Sequence, residues 1–347
     1  MLLLRVALAA MLPALASAGG AAQGPPSSDS PPTLQDIKGR LAAYEKRVAQ
    51  TGRQEPASLA EIATLGLTRA LKSATFEVWS EACVSPYAAA TAGCDDRLKS
   101  TFRQAKAPLA TRVAAGAALI GRGDRDAASA LFDLVKERPV SDLAQVAALL
   151  TRLPPDRATT LLARVVKSDD PAHQAAACRA LGTIDSGEVR QVLREAVAQI
   201  PPGTDPWFSC TIARARLNET DTTWKMPGIS SYLAGQRLLD AADAMLAVGD
   251  QRGLDTARKV TRESAGVIQI EAAERLAPSD VEYARKIADA RRADKDPFVR
   301  ARALVLERQL NRTPSPEVRT ALIDPHDLVQ LRAAEAMLDW AARESKR

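Results

Sequence analysis

Small, apolar and charged positions fall in one order at four places in the second half of the chain. Leu238-Leu239-Asp240-Ala241-Ala242-Asp243-Ala244-Met245-Leu246 matches Gln330-Leu331-Arg332-Ala333-Ala334-Glu335-Ala336-Met337-Leu338. Gln269-Ile270-Glu271-Ala272-Ala273-Glu274-Arg275-Leu276 and Arg300-Ala301-Arg302-Ala303-Leu304 lie between them. The starts at 238, 269, 300 and 330 give a step of about 31 residues, long enough for two helices and their turns. Apolar residues spaced three and four apart mark each segment as one amphipathic helix. A lone helix pair cannot bury its apolar side, so the units must stack on their neighbours.

Extended backwards, the register places the first helix of successive units near Pro108, Ser141, Pro171, Pro206, Ser231, Ala265, Pro297 and Asp327, about eight units over residues 107–347. Asp169-Asp170-Pro171, Asp205-Pro206, Asp296-Pro297 and Asp324-Pro325 punctuate these starts. Asp there can cap free amides, and Pro suits a first turn that needs no donor. Ala115, Ala148, Ala177, Ala272, Ala303 and Ala333 occupy matching places where a small side chain lets helices approach. Residues 33–106 lie outside the register: Leu34, Ile37, Leu41, Tyr44 and Val48 form one helical stripe, and Leu59, Ile62, Leu65 and Ala70 another. They read as an N-terminal helical cap over an otherwise exposed end face.

Asp296-Pro297-Phe298-Val299-Arg300-Ala301-Arg302-Ala303-Leu304, and Asp169-Asp170-Pro171 leading into Ala175-Ala176-Ala177-Cys178-Arg179-Ala180-Leu181-Gly182, resemble the HEAT-like repeats of phycobilisome lyases and many bacterial scaffold proteins. The likeness runs over about residues 107–345 and implies a right-handed α-solenoid of stacked HEAT-like helix pairs. It also implies that the second helices line the inner curve. Between Ile200 and Ile229 the chain departs from the pattern, with Pro201, Pro202, Gly203, Pro206, Pro227 and Gly228 and a loop carrying Trp224 and Met226, either a repaired repeat or a binding loop.

Composition agrees with the all-α class. The chain is 46% hydrophobic but only 4% aromatic, and alanine carries much of the apolar share, whereas a sheet protein would be richer in aromatic and β-branched residues. Residues 1–18 have the layout of an export signal: Arg5, the apolar run from Val6 to Leu15, and the small residues Ala16-Ser17-Ala18. The apolar run is too short to cross a bilayer, which takes about 20 residues. Residues 19–32, with Pro25, Pro26, Pro31 and Pro32, form a flexible leader. The expected compartment is periplasmic or extracellular. Removing the signal takes Arg5 from 47 basic residues against 42 acidic ones, too even a balance for a nucleic-acid binder.

Cys83, Cys94, Cys178 and Cys210 form an even set, as befits an oxidising compartment. Three pairings are open, and sequence does not choose among them. Cys83 with Cys94, around a short loop, and Cys178 with Cys210, between adjacent units, are favoured.

Candidate chemistry is sparse. His173 and His326 both open first helices; Asp169 and Asp170 near His173 are explained by capping, and too few ligands cluster for a metal. No cofactor motif is present. Glu263-Ser264-Ala265-Gly266-Val267-Ile268-Gln269-Ile270 is similar in part to the Glu-Ser and Gly-Leu-Met-Gln elements of lytic transglycosylases, so a glycan-cleaving enzyme using Glu263 is the alternative reading. The stretch that separates the two elements in that family is missing here. A passive structural spacer is a further alternative. On the second helices Arg190, Arg194, Arg258, Lys259, Arg262, Arg285 and Lys286 recur from unit to unit and, with Trp224, form the candidate interaction surface. Acidic neighbours dilute it, and a merely solvated face is its plain alternative. The expectation is an exported scaffold for a protein partner, with no catalysis of its own, no nucleic acid and no membrane span.

Overall fold

The computed structural model describes residues 31–88, 93–219, 228, 230, 233–310 and 313–346; residues 1–18, read from sequence as an export signal, almost all of the expected leader and Trp224 lie outside them. Among these residues every regular element is helical and there is no strand. The N-terminal helices are α1 (Leu34–Thr51), α2 (Pro56–Leu71), α3 (Phe76–Val84) and α4 (Cys94–Arg103). Then come α5 (Leu109–Gly121) with α6 (Ala127–Val135), α7 (Val140–Gln145) and α8 (Ala147–Leu150) with α9 (Pro155–Val166), α10 (Pro171–Leu181) with α11 (Gly187–Gln199), and α12 (Asp205–Arg216). The C-terminal part holds α13 (Gly235–Ala247) with α14 (Arg252–Glu263), α15 (Gly266–Leu276) with α16 (Val281–Arg291), α17 (Pro297–Leu310) with α18 (Pro316–Thr320), and α19 (Asp327–Glu344). The chain is an all-α solenoid of HEAT-like helix pairs with an N-terminal helical cap.

Local chemistry sets the helix starts. Thr33 and Asp36 form a reciprocal capping box at α1, with Asp36 N–H donating to Thr33 Oγ1 at 3.1 Å and Thr33 N–H to the Asp36 carboxylate at 2.8 Å. Asp170 accepts the Ala172 amide and Asp296 the Phe298 amide, both at 2.8 Å. Asp205 differs: it is the first helical residue, and Thr204 stands at the cap. A second device also recurs. Gln174, Gln330 and Arg300 each donate a side-chain hydrogen bond to the carbonyl six residues earlier, on Ser168, Asp324 and Asp294. Each ties the incoming turn to the first helix that follows it.

Ala115, Ala177, Ala272, Ala303 and Ala333 are wholly buried. Ala148 is exposed instead. The first helix of its unit is broken at Val146, whose φ of −109° and ψ of 8° separate α7 from α8 and shift the phase of the residues that follow.

Neighbouring first helices pack on one another from α5 through α8, α10, α12, α13, α15 and α17 to α19. Among the described residues the one appreciable contact between successive second helices joins α9 and α11. In a curved two-layer stack the crowded layer follows the shorter, inner path. The first helices are therefore inside and the second helices outside, the reverse of the order that the resemblance implies.

The array also closes on itself. α2 runs along α19, and α3 packs against both α19 and α5, so the N-terminal helices join the last unit to the first. Ile37, Tyr44, Leu59, Ile62 and Leu67 share a buried apolar cluster with Leu322, Ala334, Met337 and Trp340. Gly66 permits the approach: a Cβ there would lie 3.3 Å from Leu322 Cδ2 and 3.5 Å from Ala334 Cβ. Arg69–Asp327 at 3.2 Å, Arg319–Glu45 at 2.5 Å and Arg332–Glu81 at 2.6 Å bridge the two ends of the chain. The cap thus covers both end faces, and the apolar side chains form several clusters around the circuit rather than one central core.

Candidate functional site

The basic positions on the second helices are largely tied to acids. On α11, Arg190 meets Asp185 at 2.6 Å and Arg194 meets Glu219 at 2.8 Å. Glu219 is buried and also holds Arg214 at 2.7 Å. On α14, Arg258 lies between Asp255 at 3.3 Å and Asp280 at 3.4 Å, and Lys259 is 4.0 Å from Glu263. On α16, Arg285 bonds Glu282 at 2.5 Å. Arg262 and Lys286 are exposed, and among the described residues neither has an acid partner. The face is therefore a mosaic of neutralised pairs with two open cations on neighbouring outer helices.

Glu263 ends α14 with its side chain 56% exposed. A carboxyl kept protonated to act as a general acid needs an apolar enclosure, and this side chain stands in solvent beside Lys259.

His173 brings three catalytic residue types together at the start of α10. Ser168 Oγ is 3.3 Å from His173 Nδ1, and His173 Nε2 is 3.5 Å from Asp170 Oδ2. The same side chains already cap the helix. Ser168 Oγ accepts the Asp170 amide at 3.1 Å and Asp170 Oδ1 accepts the Ala172 amide. Both distances to the imidazole are longer than the roughly 2.6–3.2 Å of a proton-transfer contact, and capping accounts for both Ser168 and Asp170. His326 caps α19 in a similar way, its Nδ1 accepting the Leu328 amide at 3.3 Å, with its ring 5.9 Å from that of the exposed Phe298. Among the described residues no group of three His, Cys, Asp or Glu side chains is placed to hold a metal ion, and no helix is long and apolar enough to cross a membrane.

The cysteines are bonded as Cys83–Cys94, between α3 and α4, and Cys178–Cys210, between α10 and α12. The backbones also approach tightly just past the end of α10, where a Cβ on Gly182 would lie 2.8 Å from Ala213 Cβ. Arg97 secures the first region, donating to the carbonyls of Leu71 at 2.7 Å and Ser73 at 2.9 Å while stacking 4.1 Å over Trp79.

The most connected polar feature lies on the inner layer. Arg216 on α12 reaches Asp240 at 2.9 Å and Asp243 at 3.4 Å on α13, and Arg275 on α15 holds Asp243 at 2.7 Å. Arg302 on α17 bonds Glu274 on α15 at 2.6 Å; Arg308 on α17 bonds Asp339 and lies 3.7 Å from Glu335 on α19. Arg332 joins Glu335 at 2.9 Å and carries the series to Glu81 on α3. Five successive contacts between inner helices are thus each crossed by an arginine–carboxylate pair. Burial pushes the Glu274 carboxyl above its ordinary value against the pull of Arg302 and Arg275. It pushes Asp339 up to about 6 against Arg343.

Sequence reasoning passed over this ladder, although the aligned repeats carry its signal. Their third positions are Asp240, Glu271, Arg302 and Arg332, and their sixth include Asp243, Glu274 and Glu335, charges on helices otherwise built of Ala and Leu.

No family model matches the chain, and no curated protein matches it. Among solved structures it is similar to human deoxyhypusine hydroxylase in complex with glycerol, at 20% identity and a TM-score of 0.35, over 72% of this chain and 96% of that one. That comparison corrects the expectation of a chain without catalysis: the solved structure is an enzyme's, so a helical-repeat architecture gives no ground for setting catalysis aside. At this TM-score the likeness assigns no activity and no residue.

Proposed function

We propose that the chain is an exported scaffold of the cell envelope, periplasmic or extracellular, that engages a protein partner through its outer layer of second helices. In this reading residues 1–18 are removed, residues 19–32 are the leader, residues 33–106 act as the cap and residues 107–347 as the repeat array. The two disulfides support export, because such bonds persist in oxidising compartments. The observation that carries the interaction reading is the outer face itself. Arg258, Lys259 and Arg285 spend their charge locally, leaving Arg262 and Lys286 on adjacent outer helices for a partner's carboxylates. Arg190 and Arg194 on α11 complete the described part of the candidate surface; Trp224 belongs to it by sequence alone.

The test is affinity capture from the native envelope with the wild-type chain and with Arg262→Glu/Lys286→Glu, read by quantitative mass spectrometry. A partner enriched by the wild type and lost at least several-fold with the double variant is the expected result. Equal recovery by both, at equal melting temperature, removes this face from the proposal.

A further inference from the structure

No further inference is drawn: the strongest candidate, the open apolar groove of about 550 Å³ where the first turn of α2 meets the last turns of α19, lined by Ala57, Ala60, Tyr87, Leu338 and Ala341, is an unpartnered face, and nothing in the structure shows what covers it.

Discussion

The two arcs of the circuit solve the same packing problem with different chemistry. From α5 to α12 the joints are apolar: Leu131, Leu143, Leu150, Leu161, Leu162, Leu181 and Leu193 belong to one cluster, each at most 1% exposed, and Cys178–Cys210 fastens α10 to α12. From α12 round to α17 the apolar clusters are smaller and separate, and the arginine–carboxylate ladder crosses each joint on to α19. Apolar contact is non-directional and tolerates sliding, whereas a bonded ion pair fixes register. The first arc is held by area and a covalent staple, the second by geometry. Identical repeat shape does not require identical joints.

The largest expected difference comes from the staple. Replacing Cys178 and Cys210 together by Ser removes a bond across 32 residues, which stabilises by about 3–4 kcal/mol in the chain-entropy account. Hydrogen exchange should then rise in α9 to α12 and stay unchanged in α15 to α19. A uniform rise would make the arcs one cooperative unit and dissolve the contrast.

The ladder should give a smaller effect of distinctive form. Arg302→Met leaves the buried Glu274 with Arg275 alone, at 3.4 Å, at a cost of roughly 1–3 kcal/mol given the partial exposure of Arg302. Adding Glu274→Leu removes the under-paired charge, and most of the loss should return. Thermal melts of the single and double variants measure this. A double variant no better than the single would mean the pair contributes more than the relief of an under-paired charge.

Acidity should move the arcs least, and in a set direction. Glu274 and Asp339 have raised carboxyls. Each therefore contributes stability that is complete below the ordinary carboxylate range and is lost as pH climbs through the folded value, about 6 for Asp339. Asp124 and Asp250 are lowered, by Lys99 and Arg252, and behave oppositely, losing stability as pH falls below about 4. The melting temperature should rise by a few degrees from pH 8 to about pH 4, then fall. Asp339→Asn should flatten the first limb; an unaltered limb would remove Asp339 as its source.

How far the molecule was legible depended on whether a signal was local. Pro171, Pro297 and Asp327 open α10, α17 and α19 where capping chemistry placed them, because a cap is read within a few residues. Ser231, expected to open a first helix, lies outside the described residues, where Pro227 and Gly228 blur the punctuation, and α13 is described from Gly235. Ala148 failed because its burial depended on an unbroken helix through Val146. Closure was beyond the sequence: Gly66 and Ala334, or Glu45 and Arg319, carry no mark of one another across more than two hundred residues. The ladder was written into the repeat, but charges on a helix are ordinarily read as solvated. Their pairing becomes evident only when neighbouring helices stand in register. At the outer face the basic positions were visible, while the carboxylates that neutralise most of them lie one turn or one helix away.

Both arcs depend on the circuit closing through α2 and α19. Gly66→Cys with Ala334→Cys tests this directly, because the Cβ separation of 3.5 Å suits a disulfide and all four native cysteines are already bonded. Mild oxidation of the double variant should join positions 66 and 334 by an intramolecular disulfide in the monomer, found by peptide mapping, with a higher melting temperature. Two thiols that stay open to alkylation in the folded monomer would show that the ends do not meet.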